Sequence, residues 1–135
     1  MDPGLQQRLS WLFETLLNVA MEVQHLLGTG MPAAAYSRCV AHELEQLKLV
    51  VQQDLPVPII YKGLTIKDGL RLDMVVDGRV TVRVICEEKV TPLDDARMHA
   101  QLRVTGLPMG VLLNFGPASV RGSSRRVMNP APRTA

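Results

Sequence analysis

Apolar residues in the first third of the chain recur at helical spacing. Leucine or valine occupies positions 5, 9, 12, 16, 19, 23 and 26, so residues 5–27 are predicted to form one amphipathic helix. Gly28 and Gly30 end that helix, and Pro32 suits the first turn of a second one. The second helix should run to about Lys48, because its apolar residues share one face: Tyr36, Val40, Leu44 and Leu47.

After residue 48 the pattern becomes that of extended chain. Residues 49–61 contain Pro56 and Pro58, which restricts this stretch to a sheet edge or the entrance to a strand. Residues 70–76 and 80–86 are rich in β-branched residues and flank an Asp-Gly pair, which is typical of a hairpin. A three-residue loop at 77–79 pairs Met74 with Val82 and Val76 with Val80, and this register makes one face uniformly apolar.

The last third of the chain predicts a helix followed by a strand. Thr91 and Pro92, with two acids directly after them, mark a helix start, and Gly106 marks its end. Residues 109–115 are almost wholly apolar and suit an interior strand. We therefore expect an α/β fold, a small mixed sheet with a β-hairpin flanked by helices. Residues 1–118 should form its single domain and residues 119–135 a basic, partly disordered tail.

Charge and cysteine content narrow the possible classes. The chain of 135 residues has a formal net charge of +2, so it lacks the strong positive field of a general nucleic-acid binder. Four arginines and no acid follow residue 120. Cys39 and Cys86 have no Cys-x-x-Cys spacing, and we expect two buried thiols in a reducing compartment. The polar N-terminus does not resemble a signal peptide, so a cytoplasmic location is expected.

An ordered set of short segments resembles the GxxExxY protein family. The resemblance covers roughly residues 15–129 and is carried by residues 20–23, 27–30, 57–63, 71–73, 105–107 and 113–115, together with Tyr36. That family is similar in fold to the PD-(D/E)XK nucleases, in which a hairpin and a flanking helix hold a metal ion that activates water against a phosphodiester. The resemblance therefore implies a nuclease-like fold.

The residues at the family's catalytic positions argue against the activity. The resemblance implies a Glu on the second helix, where this chain has Ala33, and an Asp that is kept as Asp73. The Glu-x-Lys pair falls on Arg83 and Ile85, and the Gln and Tyr of the following helix fall on Arg97 and Gln101. One carboxylate cannot hold a divalent ion well against water, and arginine at a ligand position adds positive charge. We expect no metal, no cofactor and a pseudoenzyme.

Three functions are compatible with this reading. The first is a non-catalytic interaction or accessory subunit of a larger assembly, with a protein partner or a second copy of the chain. The second is a nucleic-acid-binding protein that uses Arg121, Arg125 and Arg126 of the tail. The third is a metal-dependent nuclease with a site rearranged to Asp73, Glu87 and Lys89. We disfavour the third because a shift of four residues moves the acid about 13 Å along the strand.

Local patterns add further expectations. The histidines at 25, 42 and 99 lack metal-site spacing and should be scattered over the surface. Small side chains at Ala33, Ala34 and Ala35 should let the second helix approach the sheet or another chain closely. Residues 130–135 should be poorly ordered or held by another molecule. The hairpin register sets Asp73 opposite Arg83, which predicts an ion pair or a close charge contact between them.

Overall fold

The protein forms a five-stranded mixed sheet with helices on both faces. The structure is a computed structural model that describes residues 2–133. Its elements, in chain order, are α1 (Pro3–Leu27), α2 (Ala33–Gln46), β1 (Val51–Tyr61), β2 (Leu64–Val76), β3 (Val80–Ile85), α3 (Pro92–Thr105), β4 (Met109–Asn114), α4 (Val120–Ser123) and β5 (Arg125–Met128). In this described part of the chain, no helix is both long and apolar enough to cross a membrane.

The two N-terminal helices form where the apolar periodicity predicts them. Asp2 caps α1 by accepting a hydrogen bond from the Leu5 backbone amide at 3.0 Å, and Pro3 occupies the first turn, where its missing N–H costs nothing. Gly28 ends the helix with a φ of 73°, a conformation that glycine adopts without strain. Helix α2 follows Pro32 and stops at Gln46, two residues before the expected end.

The sheet has the strand order β1-β2-β3-β4-β5. Strands β3 and β4 are parallel, with α3 as the crossover between them, and every other neighbouring pair is antiparallel. This architecture confirms the predicted α/β class with a small mixed sheet and flanking helices.

The β2–β3 hairpin has the predicted register. Met74 pairs with Val82 and Val76 pairs with Val80, around a turn in which Asp77 and Gly78 both have positive φ. The sequence analysis missed a second hairpin. Strand β2 begins at Leu64, six residues earlier than expected, and pairs with β1 across the Lys62-Gly63 turn, whose φ values of 46° and 83° are also positive. β1 is therefore an edge strand, as its prolines indicate.

The sheet separates two apolar layers. Helices α1 and α2 cover one face, and the main core there includes Leu12, Leu16, Tyr36, Met74, Val82 and Val111. Helix α3 covers the other face with a smaller cluster of Ile85, Met98, Leu102, Leu112 and Val127. Tyr36 and Phe115 stack in the main core, with ring centroids 4.3 Å apart and an interplanar angle of 11°. Strand β3 is therefore covered on both faces, which explains its nearly continuous apolar run.

The expected domain end at residue 118 does not match the structure. Strand β5 pairs with β4 and thereby completes the sheet, and Val120 and Val127 are buried. The side chain of the buried Gln24 ties this segment to α1 by accepting a hydrogen bond from the Val120 amide at 2.9 Å. Residues 119–128 thus belong to the fold, because burial of Val120 and Val127 and the pairing with β4 offset the entropic cost of ordering a polar segment.

The final described residues lie on the surface of this same domain. The side-chain amide of the buried Asn129 donates to the carbonyls of Leu102 and Leu107, at 3.1 and 2.8 Å. The Arg133 amide donates to the Gly106 carbonyl at 2.9 Å. Residues 130–133 therefore follow the turn after α3 and do not enter the core. Thr134 and Ala135 lie outside the described residues.

The expectation of two buried thiols was wrong. Cys39 is half-buried against the main core, but Cys86 is exposed directly after the end of β3. Partial burial nevertheless raises the pKa of the Cys86 thiol. The three histidines are all exposed, as expected for scattered surface residues.

Candidate functional site

A cavity opens where β2 diverges from β3. The pairing between these strands stops at Met74 and Val82, whereas β2 continues to pair with β1 as far as Leu64. Asp73 is the first β2 residue beyond the last pair, and it borders a cavity of about 660 Å³. The sheet topology thus presents Asp73, the carboxylate that the resemblance indicates, at an open position.

Partial burial perturbs Asp73. Desolvation raises the pKa of its carboxyl above the usual range, and nearby Asp54 adds to this effect. The Val84 backbone amide donates to Asp73 Oδ2 at 3.4 Å, which counteracts part of the shift, as does the positive charge of Arg83. Because desolvation is the largest of these causes, the ionised carboxylate is less favourable here than in water.

Helix α2 forms the opposite wall of the cavity. Ala33 and Ala34 line it together with Ser37 and Arg38. Ala33 packs against the main core and Ala35 is half-buried, while Ala34 is exposed, so two of the three alanines bring the helix close to the body of the domain as expected. The cavity therefore brings together Ala33 and Asp73, two of the positions that the family resemblance indicated.

Asp73 and Arg83 do not form a direct ion pair, although Arg83 lies close enough for its charge to lower the pKa of the Asp73 carboxyl. The Arg83 guanidinium instead lies 3.9 Å from Asp94 at the start of α3, where the Asp94 side chain is only 2% exposed. Asp94 is held there by a capping box, in which Thr91 and Asp94 each accept a hydrogen bond from the other's backbone amide. The hairpin register fixes where Arg83 lies on the sheet. Its charged partner, Asp94, comes from α3, which packs on the same face of the sheet.

Glu87 joins Arg83 and Asp94 in a cluster of charged groups. Its hydrogen bond with Asp94, together with burial, raises the pKa of Glu87. Burial tends to raise the pKa of Asp94 as well, but the hydrogen bonds from Glu87 and Thr91 and the charge of Arg83 lower it overall. When the pair of carboxyls holds one proton, Glu87 carries it and Asp94 is ionised.

The rearranged nuclease site is not assembled. Glu87 borders a cavity with Cys86 and Glu88, whereas Asp73 borders the separate cavity beside α2. Lys89 is exposed in the loop before α3. The structure therefore does not bring together Asp73, Glu87 and Lys89.

The remaining family positions have structural partners. Ile85 is buried in the apolar cluster under α3. Gln101 is buried, and its Oε1 accepts a hydrogen bond from the Thr81 hydroxyl at 3.2 Å. Arg97 is exposed on α3, close enough to Glu87 to lower the pKa of that carboxyl. The sequence predicted Asp94 only as one of two acids at the start of a helix. The Thr-x-x-Asp spacing is the signal of its capping role.

The donor set beside Asp73 does not fit a divalent cation. Such an ion requires several oxygen ligands, and the cavity offers the carboxylates of Asp73 and the exposed Asp54 beside the guanidinium of Arg38. Asp54 is already paired with Arg71 at 3.2 Å. Among residues 2–133, no group of three or more His, Cys, Asp or Glu side chains is arranged to hold a metal ion.

The three arginines of the last segment have partners within the domain. Arg121 contacts Glu14 at 2.6 Å, and Arg125 lies 3.3 Å from Asp95. The guanidinium of Arg126 lies over the ring of Phe13, 5.1 Å from its centroid. These contacts attach the β5 segment to α1 and α3, and they compete with any phosphate for the same guanidinium groups.

The fold and the position of Asp73 define a nuclease-like α/β domain. The family model of the PD-(D/E)XK nuclease superfamily matches residues 10–127, and the chain belongs to that superfamily. Comparisons with curated proteins and with solved structures gave no match.

Proposed function

We propose that this superfamily member is non-catalytic and acts as an interaction or accessory subunit of a larger assembly. The observation that carries the proposal is the composition of the cavity beside Asp73. A methyl group, that of Ala33, occupies the helix position from which the family's pattern supplies a carboxylate. The proposal also adopts the closer assignment to the GxxExxY group, which the segments around Tyr36 and Asp73 support.

In this fold, hydrolysis of a phosphodiester needs negatively charged metal ligands and a positively charged lysine. Hard oxygen ligands bind the ion, and a lysine beside the attacking water steadies the developing negative charge. In this chain the second acid position is Arg83, whose positive charge is committed to Asp94, and the lysine position is Ile85, which is buried among apolar side chains. Asp73, whose pKa is raised, and Asp54, which is paired with Arg71, form a poor ligand set for a divalent ion.

The intact core supports a role through the surface. The apolar residues on both faces of the sheet are buried in two packed clusters. A stable scaffold without chemistry is what an interaction module needs.

A cleavage assay tests the proposal directly. The full-length protein is incubated with Mg²⁺ or Mn²⁺ and with single-stranded DNA, double-stranded DNA or RNA, beside the Asp73→Ala variant as a matched control. The expected result is no metal-dependent cleavage above the level of that control. Cleavage by the wild type that Asp73→Ala abolishes would refute the proposal.

A second test asks whether the lack of carboxylate ligands beside Asp73 prevents metal binding. The variant Ala33→Glu adds a carboxylate to the α2 wall of the cavity that Asp73 borders. We expect this variant to bind Mn²⁺ more tightly than the wild type in calorimetry, and we expect Asp73→Ala in that background to remove the gain. If the wild type already binds Mn²⁺ through Asp73 as tightly as the Ala33→Glu variant does, the argument from the donor set fails.

A further inference from the structure

A long groove runs between the β1–β2 hairpin and the C-terminal end of α3. It consists of two adjoining cavities of about 680 and 630 Å³, which share Gly78, Thr105, Leu107 and Arg133 as lining residues. Each volume is within the range of ligand-binding pockets. Because the two cavities adjoin and are open to solvent, the groove suits an extended chain better than a compact small molecule.

The floor of the first cavity is apolar. Leu55 and Val57 of β1 and Leu72 of β2 face Val104 and Leu107 at the end of α3. The hairpin extends beyond its pairing with β3, so these side chains have no helix packed across them over their full length. Only Leu72 is fully buried, and the others are half-buried. Contiguous apolar surface of this kind is characteristic of interaction sites.

The charge along the groove is positive. Arg103 and Arg133 line the first cavity, which has no acidic lining residue, and neither arginine forms an ion pair with any residue in the described range 2–133. Asp2 lines the second cavity, but its carboxylate caps α1. Arg79 lines the same cavity and is paired with Asp77. Two arginines are therefore available to an anionic group lying along the groove.

The outer edge of β1 restricts how such a chain can bind. Pro56 and Pro58 remove two backbone N–H donors from the edge strand, which opposes the addition of another strand. A bound segment must then lie in the groove and make side-chain contacts, with apolar groups on the floor and charged groups toward the rim.

We propose that this groove binds an extended peptide segment that alternates acidic and aliphatic side chains and is supplied by a partner protein. The inference rests on the proposed function, since it specifies the partner of an interaction module. Charge complementarity with Arg103 and Arg133 selects the acids, and the leucine and valine floor selects the aliphatic residues. A single-stranded nucleic acid fits less well, because the floor has no aromatic side chain on which bases could stack.

Selection from a random peptide library tests the proposal. Short random peptides displayed on phage are selected against the full-length protein, and the affinity of an enriched synthetic peptide is then measured by fluorescence anisotropy. We expect enrichment of sequences that combine Asp or Glu with Leu, Ile or Val. The double variant Arg103→Glu and Arg133→Glu should weaken binding by about tenfold at low salt and remove most of the salt dependence.

A matched control separates this groove from general charge effects. Lys89 is an exposed cation in the loop before α3, and Lys89→Glu should leave the peptide affinity within about twofold of wild type. Equal losses in the control and the double variant would overturn the proposal, as would enrichment of peptides without acids or of none at all. Competition by oligothymidylate at the same concentration as the peptide would point to a nucleic acid instead.

A second copy of the chain is the remaining occupant to test. Concentration-dependent dimerisation measured by light scattering, and abolished by Arg103→Glu with Arg133→Glu, would show that the groove belongs to a homodimer and would overturn the peptide proposal. These outcomes are distinguishable from failure of the proposed function, because that function fails only if metal-dependent cleavage depends on Asp73.

Discussion

The Tyr36 hydroxyl holds the start of α2 against the end of α1, and removing it should cost measurable stability. The hydroxyl donates to the Gly28 carbonyl at 2.5 Å and accepts a hydrogen bond from the Met31 amide at 3.2 Å. In Tyr36→Phe both bonds are lost while the ring and its stacking on Phe115 remain. This substitution therefore separates the polar contribution of the residue from its packing contribution.

The structure sets the size of the expected loss. A typical net hydrogen bond contributes about 0.5–1.5 kcal/mol, but Gly28 and Met31 are exposed, so water can replace part of what the hydroxyl supplies. We expect Tyr36→Phe to lower the free energy of unfolding by about 1–2 kcal/mol. Tyr36→Ala also removes a fully buried ring, and its cost should be about 3–5 kcal/mol.

Urea denaturation followed by circular dichroism measures these changes, with the slope of the transition as a check on two-state behaviour. Tyr61 is 60% exposed at the hairpin turn, so Tyr61→Phe is the matched control and should change stability by less than about 0.5 kcal/mol. The reasoning is refuted if Tyr36→Phe is as stable as wild type, or if it loses as much as Tyr36→Ala.

Three further predictions concern the carboxyls and one close contact. Because burial raises the pKa of Asp73, the contribution of this carboxyl to stability should fall as pH rises through its titration range. Asp73→Asn should therefore be more stable than the wild type at neutral pH and have no advantage in acid, as measured by thermal melts of both proteins across pH. Glu87 also has a raised pKa, so its contribution to stability should likewise fall as pH rises, and Glu87→Gln should make the pH dependence of the melting temperature less steep. A steeper pH dependence in this variant would contradict the pairing of Glu87 with Asp94. A Cβ on Gly110 would approach the Met98 sulfur, so Gly110→Ala should cost about 1–3 kcal/mol, and Met98→Ala should relieve part of that loss in a double-mutant cycle.

The helices and the inner hairpin were predictable because each carries its own periodic signal. The stripe along residues 5–27 has a spacing that only a helix can bury on one side, and α1 follows it closely. Alternation around Asp77 and Gly78 allowed one register in which a whole face is apolar, and that register is the one formed. The position of Asp73 at the hairpin followed from the same pattern.

The outer hairpin was missed because its projecting part has no buried face. Residues 64–69 include Lys67 and Asp68 and are exposed almost throughout, so no alternation marks them as a strand. Their extended conformation comes from pairing with β1. The groove beside α3 could not be foreseen either, because its lining comes from segments that are far apart in the sequence.

The amino-acid sequence specified the elements whose apolar pattern has one period and the turns that require positive φ. Packing between distant segments settled the rest. Arg83 pairs with Asp94 because α3 returns across that face of the sheet. The segment after residue 118 joins the fold because β4 offers a free edge to β5. The partner of a charged side chain and the pairing of an edge strand depend on which surfaces meet in the folded protein. The periodic pattern within one segment contains no information about those surfaces.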